Sequence, residues 1–246
     1  MANITKSIGV RICLFISFLS IIYTLYAGLN PIYTLNFTER FTLAAAFTLP
    51  LGIATILIAH QMQTDEKKQR IYHIFWWILF LYYIAQMIYM LFFASEFSRQ
   101  NNPLFDGHYL ESLKQQWELR TNLKPFDTIH LMMNAYANDL HDIATINLLG
   151  NFVAFMPFAF FLPKLFPSMT KCRKFLGFMC LLILSVEIIQ LLTLSGTMDI
   201  DDFLLNMSGT TLSYFILKIP FYHLFTEHPT SPSFIDAVYV KKEIEI

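Results

Sequence analysis

Residues 175–194 read FLGFMCLLILSVEIIQLLTL, and this stretch decides the class of protein. It carries one charged residue, Glu187, and a helix of this length is about 30 Å long, the thickness of the hydrocarbon core of a bilayer. Similar runs occur at residues 12–29, 41–59, 74–94, 147–166 and 203–219. Backbone polar groups cannot stay unpaired in lipid, so each run must be helical. The sequence therefore predicts an all-α integral membrane protein with about six transmembrane helices.

The overall composition supports this class. Hydrophobic residues make up 55% of the 246-residue chain and charged residues 14%, whereas a soluble domain has about 25% charged residues. A water-soluble enzyme is therefore excluded, and the net charge of -1 gives no reason to expect nucleic-acid binding. Three cysteines in apolar surroundings do not indicate a disulfide framework.

The Lys and Arg residues beside the spans predict the orientation. With the N-terminus inside, 12 of the 17 fall on the cytoplasmic side and 5 outside, as the positive-inside rule requires. We therefore predict that the N- and C-termini are both cytoplasmic. The predicted organisation is a three-helix extension at 1–95, a domain at 96–219 that opens with an exterior segment at about 96–146, and a cytoplasmic tail at 220–246.

Prolines indicate breaks in two of these regions. In the acidic exterior segment, Leu119, Leu123 and Phe126 recur at helix-like spacing, and Pro125 would interrupt a continuous helix there. We expect a short amphipathic helix lying on the outer membrane interface. In the fourth span, Pro157 and the proline that follows at 163 predict a kink.

Polar side chains in the last three spans lie in the outer half of the membrane. Counted along each helix from the outer face, Asn206 is about 6 Å deep, Glu187 about 10 Å and Asn151 about 14 Å. Side chains that share a helix face are Glu187 with Gln190, Asn147 with Asn151, and Asn206 with Gly209 and Ser213. We predict that these polar faces meet in a small pocket open to the outside, beneath a loop that carries Asp199, Asp201 and Asp202.

Each of these groups also has a structural interpretation. Asn and Ser in spans often form helix-to-helix hydrogen bonds, and Gly209 with Ser213 is a small-residue packing pattern. The three aspartates suit a solvated loop that begins the sixth helix, because acids favour a helix N-terminus. Glu187 has the strongest case for function, because a buried carboxyl is costly. The sequence contains no zinc-binding, phosphate-binding or nucleophile-elbow motif, and we predict neither a metal nor a cofactor.

Several ordered motifs resemble the VanZ-like family. They are RTNLKPFDTI at 120–129, NLLGNFVAFMPF at 147–158, FLP at 161–163, SVEIIQ at 185–190 and DIDDFLLNMSG at 199–209. The resemblance covers residues 120–214. It implies a multi-pass protein of the bacterial cell membrane, linked to low-level resistance to the lipoglycopeptide teicoplanin, without an established catalytic residue or cofactor. Where these motifs and the polar faces agree, the predicted site residues are Asn122, Asn147, Asn151, Glu187, Gln190, Asp199, Asp201, Asp202 and Asn206.

Three functions are compatible with this sequence. The first is a binding protein whose pocket engages an amphipathic or lipid-linked molecule, such as a cell-wall intermediate or a lipoglycopeptide. The second is an intramembrane enzyme acting on a cell-envelope lipid, with Glu187 as catalytic base and the aspartates as ligands of a divalent cation. The third is a structural partner in an envelope complex, in which the polar faces serve only as helix contacts. We favour the first, and expect the lipid bilayer itself to be the main partner.

Overall fold

The computed structural model describes residues 2–30, 35–93, 108–138 and 140–218. Apart from a single parallel bridge between Asn122 and Asp199, these residues form only helices and their connections. The helices are α1 (Ala2–Leu29), α2 (Phe37–Ala59), α3 (Asp65–Phe92), α4 (Tyr109–Arg120), α5 (Asp127–Ala137), α6 (His141–Ala154), α7 (Phe158–Leu165), α8 (Cys172–Leu192) and α9 (Ile200–Lys218), with a 3-10 turn at Pro167–Thr170 before α8. The predicted all-α class is confirmed.

Five segments of the described chain are long and apolar enough to cross a membrane. They are Ser7–Gly28, Thr38–Ala59, Asp65–Phe92, Ala144–Leu165 and Cys172–Leu192. Five of the six predicted spans therefore have a counterpart, and the sixth corresponds to α9, which is not among these five. The sixth span and the cytoplasmic position of both termini stay predictions, and the predicted tail at 220–246 lies outside the described residues.

The predicted fourth span is two helices rather than one. α6 ends at Ala154 and α7 begins at Phe158, directly after Pro157. Proline lacks the backbone N–H that would continue the helical ladder, and it is tolerated at a helix start. The break predicted from Pro157 is therefore present, whereas Pro163 lies inside α7.

The chain forms two compact units. The first comprises Met1–Gln116 with Gln190–Gly196 and contains α1 to α3 and the first part of α4. Within it, the Ser17 hydroxyl of α1 donates a buried hydrogen bond of 3.0 Å to the Phe47 carbonyl of α2. The second comprises Trp117–Ile189 with Thr197–Ile246. The predicted domain boundary at 95/96 stays a prediction.

The second unit has its own core, which fixes the position of α9. The rings of Phe175 in α8 and Tyr214 in α9 stack with centroids 4.4 Å apart. Both side chains are completely buried, and the Tyr214 hydroxyl donates a 2.6 Å hydrogen bond to the Thr170 carbonyl before α8. Burying a tyrosine with its hydroxyl paired contributes apolar area without leaving an unsatisfied donor. The C-terminal half of α9 is therefore anchored in the core of this unit.

Candidate functional site

The Asp201 carboxylate accepts hydrogen bonds at the N-terminus of α5. The donors are three backbone N–H groups, those of Phe126 at 2.5 Å, Thr128 at 2.8 Å and Ile129 at 3.1 Å. The first N–H groups of a helix have no partner within the helix, and the helix dipole favours a negative charge there. Asp201 therefore caps α5 although the two are more than seventy residues apart in sequence.

Asp199 lies beside this cap and is bound mainly by side chains. Its oxygens accept hydrogen bonds from the Thr128 hydroxyl at 2.5 Å, from the Asn122 amide at 3.3 Å and from the Asp201 backbone N–H at 2.8 Å. The Asn122 amide also donates a hydrogen bond of 2.9 Å to the Thr128 hydroxyl oxygen. We call Asn122, Thr128, Asp199 and Asp201 the aspartate cluster.

Backbone pairing sets the register of the aspartate cluster. The N–H of Asn122 donates to the Met198 carbonyl and the N–H of Ile200 donates to the Asn122 carbonyl, both at 2.9 Å. The Asn122 side-chain oxygen accepts from the N–H of Lys124, which forms the turn before Pro125. Phe126 then adopts a left-handed conformation, with φ of 71°, at the N-cap position immediately before α5. Local turn chemistry thus places the N–H groups of α5 opposite Asp201.

The aspartate cluster buries acidic groups without a basic partner. Asp201 is fully buried and Asp199 nearly so, and within the described part of the chain neither forms an ion pair with Lys or Arg. Hydrogen bonds to an ionised acceptor are about twice as strong as neutral ones. The N–H and O–H donors and the α5 dipole therefore supply the compensation that a salt bridge would otherwise give.

A second contact joins α9 to α6. The Asn151 amide donates to the Asp202 carboxylate. Farther along α9, a Cβ built on Gly209 would lie 1.7 Å from the carbonyl oxygen of Phe152. No side chain fits in that space, so Gly209 is required for the close approach of the two helices. The small-residue packing expected at Gly209 is confirmed.

Polar atoms without partners lie near this contact. Asp202, Asn206 and Gly209 share one face of α9, so Asn206 lies between two points at which α9 meets α6. The side-chain oxygens of Asn206 and Thr210 are buried and have no hydrogen-bond partner among the described residues, and the same holds for Asn147 Oδ1 in α6. Each such group costs about 1–3 kcal/mol if it stays unsatisfied.

Glu187 and Gln190 are both buried in α8. The Gln190 amide donates a 3.1 Å hydrogen bond to the Leu91 carbonyl at the end of α3, and the Tyr109 hydroxyl donates to the Leu192 carbonyl at 2.9 Å. Gln190 therefore holds the end of α8 within the first unit. Glu187 is 5% exposed and belongs to the second unit.

The predicted site residues thus fall into groups. Asn122, Asp199 and Asp201 share one hydrogen-bond network, Asn151 and Asp202 form a pair, and Asn206 lies on the same helix face as Asp202.

Sequence reasoning missed Thr128 and Thr210. Thr128 could have been found, since it follows the Asn-x-x-Pro turn within the quoted motif, but Thr210 has no local signal. Among the described residues, no three His, Cys, Asp or Glu side chains are arranged to hold a metal ion.

Comparison with known proteins gives one match. The VanZ/LLP1 family matches residues 80–222, which is more than half of the chain. This range includes α4 to α9, the aspartate cluster and the α6–α9 contact. No curated protein and no solved structure matches the chain.

Proposed function

The chain belongs to the VanZ/LLP1 family, and on that premise we propose that it reduces susceptibility to teicoplanin by binding an amphipathic or lipid-linked molecule. In this proposal it is a multi-pass protein of the bacterial cell membrane with six spans and both termini in the cytoplasm. It performs no chemistry on the bound molecule. The site lies in the second unit, on the polar faces of α6, α8 and α9.

The buried acceptor atoms of α6 and α9 carry this proposal. Asn147 Oδ1, Asn206 Oδ1 and Thr210 Oγ1 lack partners within the described chain, and an acceptor in a low-dielectric setting binds an N–H or O–H group strongly. A ligand with hydroxyl or amine groups would satisfy them. The buried carboxyl of Glu187 adds acidic character to the same unit, which suits a ligand bearing an amine.

We assign the remaining predicted site residues two supporting roles. Asn122, Asp199 and Asp201 already use their oxygens to hold the exterior segment on the start of α9, so we propose that they position the mouth of the site. Asn151 and Asp202 would form its wall. Gln190 holds the end of α8 through Leu91 and contributes to the ligand only indirectly.

Asn206→Leu separates a binding role from a packing role. Asn206 Oδ1 has no partner among the residues that the structure describes, so replacing the amide with an apolar side chain of similar size removes a desolvation cost and should not lower protein stability. If Asn206 contacts the ligand, its loss weakens binding by about tenfold or more. The binding role predicts lost activity at normal abundance, whereas a packing role predicts unchanged activity.

The experiment is complementation of a deletion strain, with teicoplanin and vancomycin susceptibility measured at matched membrane abundance. We expect wild type to restore teicoplanin tolerance, and Asn206→Leu and Glu187→Gln to leave the strain at the deletion level. Ser208→Ala is the matched control, because Ser208 is exposed on the same helix. Full tolerance with both Asn206→Leu and Glu187→Gln would reject the binding site, and no restoration by wild type would reject the link to teicoplanin.

A further inference from the structure

Basic side chains gather at the connection between α7 and α8 in the second unit. Residues 164–174 contain four basic residues and no acidic one, namely Lys164, Lys171, Arg173 and Lys174. The last three of these are exposed. The stretch without Asp or Glu is longer still and runs from residue 143 to residue 186. Neither α7 nor the N-terminal half of α8 therefore supplies a counter-charge.

The C-terminal end of α9 adds a further cation to this connection. The Tyr214 hydroxyl donates a hydrogen bond to the Thr170 carbonyl, and the rings of Tyr214 and Phe175 stack. One turn farther along α9, the Lys218 ammonium group lies 5.5 Å from the centre of the Tyr214 ring. Residues 203–218 contain no Asp or Glu. We call Lys171, Arg173, Lys174 and Lys218 the basic cluster.

The start of α3 in the first unit shows how a similar connection is balanced. Residues 65–70 read DEKKQR, and the two acids occupy the first turn of α3, where the helix dipole favours a negative charge. Lys68 pairs with Asp65 at 2.8 Å, and Arg70 pairs with Glu66 at 3.1 Å. The cations at this helix start are thus accompanied by acids on the same helix.

α8 begins in the opposite way. Its first turn contains Arg173 and Lys174 and no acid, and Lys171 immediately precedes it. A cation at the positive end of a helix dipole is unfavourable, and like charges three or four residues apart repel one another. Among the described residues, none of these three side chains forms an ion pair. An anion that does not belong to the described chain would therefore stabilise this connection.

The surroundings favour a lipid headgroup as that anion. α7 ends the candidate span Ala144–Leu165, and α8 is the candidate span Cys172–Leu192, so their short connection lies where two apolar segments end. Phe178 on α8 and Phe215 and Ile216 on α9 are 38%, 46% and 57% exposed. Cations beside exposed apolar side chains suit a molecule with an anionic headgroup and apolar chains. A soluble phosphate offers the charge without the chains.

We propose that the basic cluster binds the headgroups of anionic phospholipids, such as phosphatidylglycerol, in the leaflet at this end of the second unit. The lipid phosphate supplies the negative charge that the first turn of α8 lacks. The positive-inside rule alone does not require such binding, because it counts Lys and Arg whether or not they are paired. The inference adds a binding partner to the predicted orientation, and it does not depend on the proposed ligand.

Native mass spectrometry of the full-length protein, released from detergent micelles, tests the proposal. The protein is titrated with phosphatidylglycerol and, separately, with phosphatidylcholine of the same acyl chains, and the dissociation constants of the first bound lipid are compared. The test variant combines Lys171→Gln, Arg173→Gln and Lys174→Gln. The matched control combines Lys67→Gln, Lys68→Gln and Arg70→Gln, which removes the same number of positive charges at the start of another candidate span.

Wild type should bind phosphatidylglycerol about tenfold or more tightly than phosphatidylcholine, because each Lys or Arg beside an anionic lipid contributes a gain of about fivefold. The test variant should lose this preference, and the control should keep it. An equal loss in both variants would show that the preference follows net charge alone and would overturn the proposal. The absence of a preference in wild type, or an unchanged preference in the test variant, would overturn it as well.

Two measurements on wild type keep the test independent of variant folding. The preference should weaken as the concentration of ammonium acetate rises, because salt screens exposed charges. A preference that is independent of salt would contradict binding through the headgroup charge. Inorganic phosphate should not displace phosphatidylglycerol, and its displacement at comparable concentrations would mean that the basic cluster binds a soluble anion instead of a lipid.

Discussion

The helices α2 and α5 begin in opposite ways. α2 caps itself, because the Asn36 side chain accepts from the Glu39 N–H and the Glu39 carboxylate accepts from the Asn36 N–H, both at 2.9 Å. α5 has no such box, since Phe126 at its N-cap position provides no side-chain hydrogen bond and Asp201 supplies the acceptor from α9. The first N–H groups of a helix need a partner outside the helical ladder. In α2 that partner is local, and in α5 it comes from a distant part of the sequence. A local cap stabilises one helix, whereas the remote cap also fixes the start of α5 on α9.

Removing the remote cap should have the largest effect. Asp201→Ala leaves three backbone donors of α5 without their charged acceptor. Hydrogen bonds to charged groups contribute about 1.5–3 kcal/mol each, and they are not additive, so we expect α5 to lose about 3–4 kcal/mol. Hydrogen exchange at the start of α5, measured by mass spectrometry in nanodiscs, should accelerate roughly 100- to 1,000-fold.

Two variants show whether the loss is specific to the cap. Asp201→Asn keeps one carbonyl acceptor and should produce an intermediate acceleration. Asp127→Ala removes an exposed acid from the same first turn, where a negative charge interacts favourably with the helix dipole, and should cost less than about 1 kcal/mol. If Asp201→Ala behaved like Asp127→Ala, the remote cap would contribute nothing beyond general electrostatics.

Features that depend on local sequence could be predicted, whereas the remote cap could not. Apolar runs predict the spans because burial in lipid depends on local composition, and Pro157 predicts the break before α7 because it lacks a donor. The structural interpretation of the acidic start of α9 was that acids suit the N-terminus of α9 itself, and Asp199 fits it, because its side chain accepts from the Asp201 N–H in the first turn of α9. Asp201 serves α5, and nothing local specifies that register, because it depends on how the turn at Asn122 pairs with residues 198–200.

The candidate site shows the same limit. The spacing of Asn147, Asn151 and Asn206 predicts which helix faces are polar, and the small residue at Gly209 predicts a close contact. The spacing does not predict that Asn151 pairs with Asp202 while the Asn206 side-chain oxygen has no partner within the described part of the chain. Such pairing is decided by the crossing of α6 and α9 in three dimensions. The hydrogen-bond state of each amide therefore required the structure.

Removing the local cap should have a smaller effect confined to α2. Asn36→Ala removes one half of the capping box, which typically costs about 1 kcal/mol. Exchange in the first turn of α2 should accelerate about fivefold, and α5 should be unchanged. Thr38→Ala, at an exposed position in the same turn, is the control and should change exchange little. An acceleration as large as that of Asp201→Ala would remove the distinction between the two kinds of cap.

Phe126→Gly should have the smallest effect, and it tests whether backbone strain matters to the remote cap. Phe126 holds φ at 71°, where a non-glycine residue costs about 1–2 kcal/mol, and its side chain is 56% exposed. Glycine relieves that strain but gains a similar entropy in the unfolded chain, so exchange at the start of α5 should change less than about fivefold. Phe126→Val should accelerate exchange more than Phe126→Gly does, because a β-branched residue disfavours this φ. Equal behaviour of the two variants would mean that Asp201 holds its three donors whatever residue stands at 126.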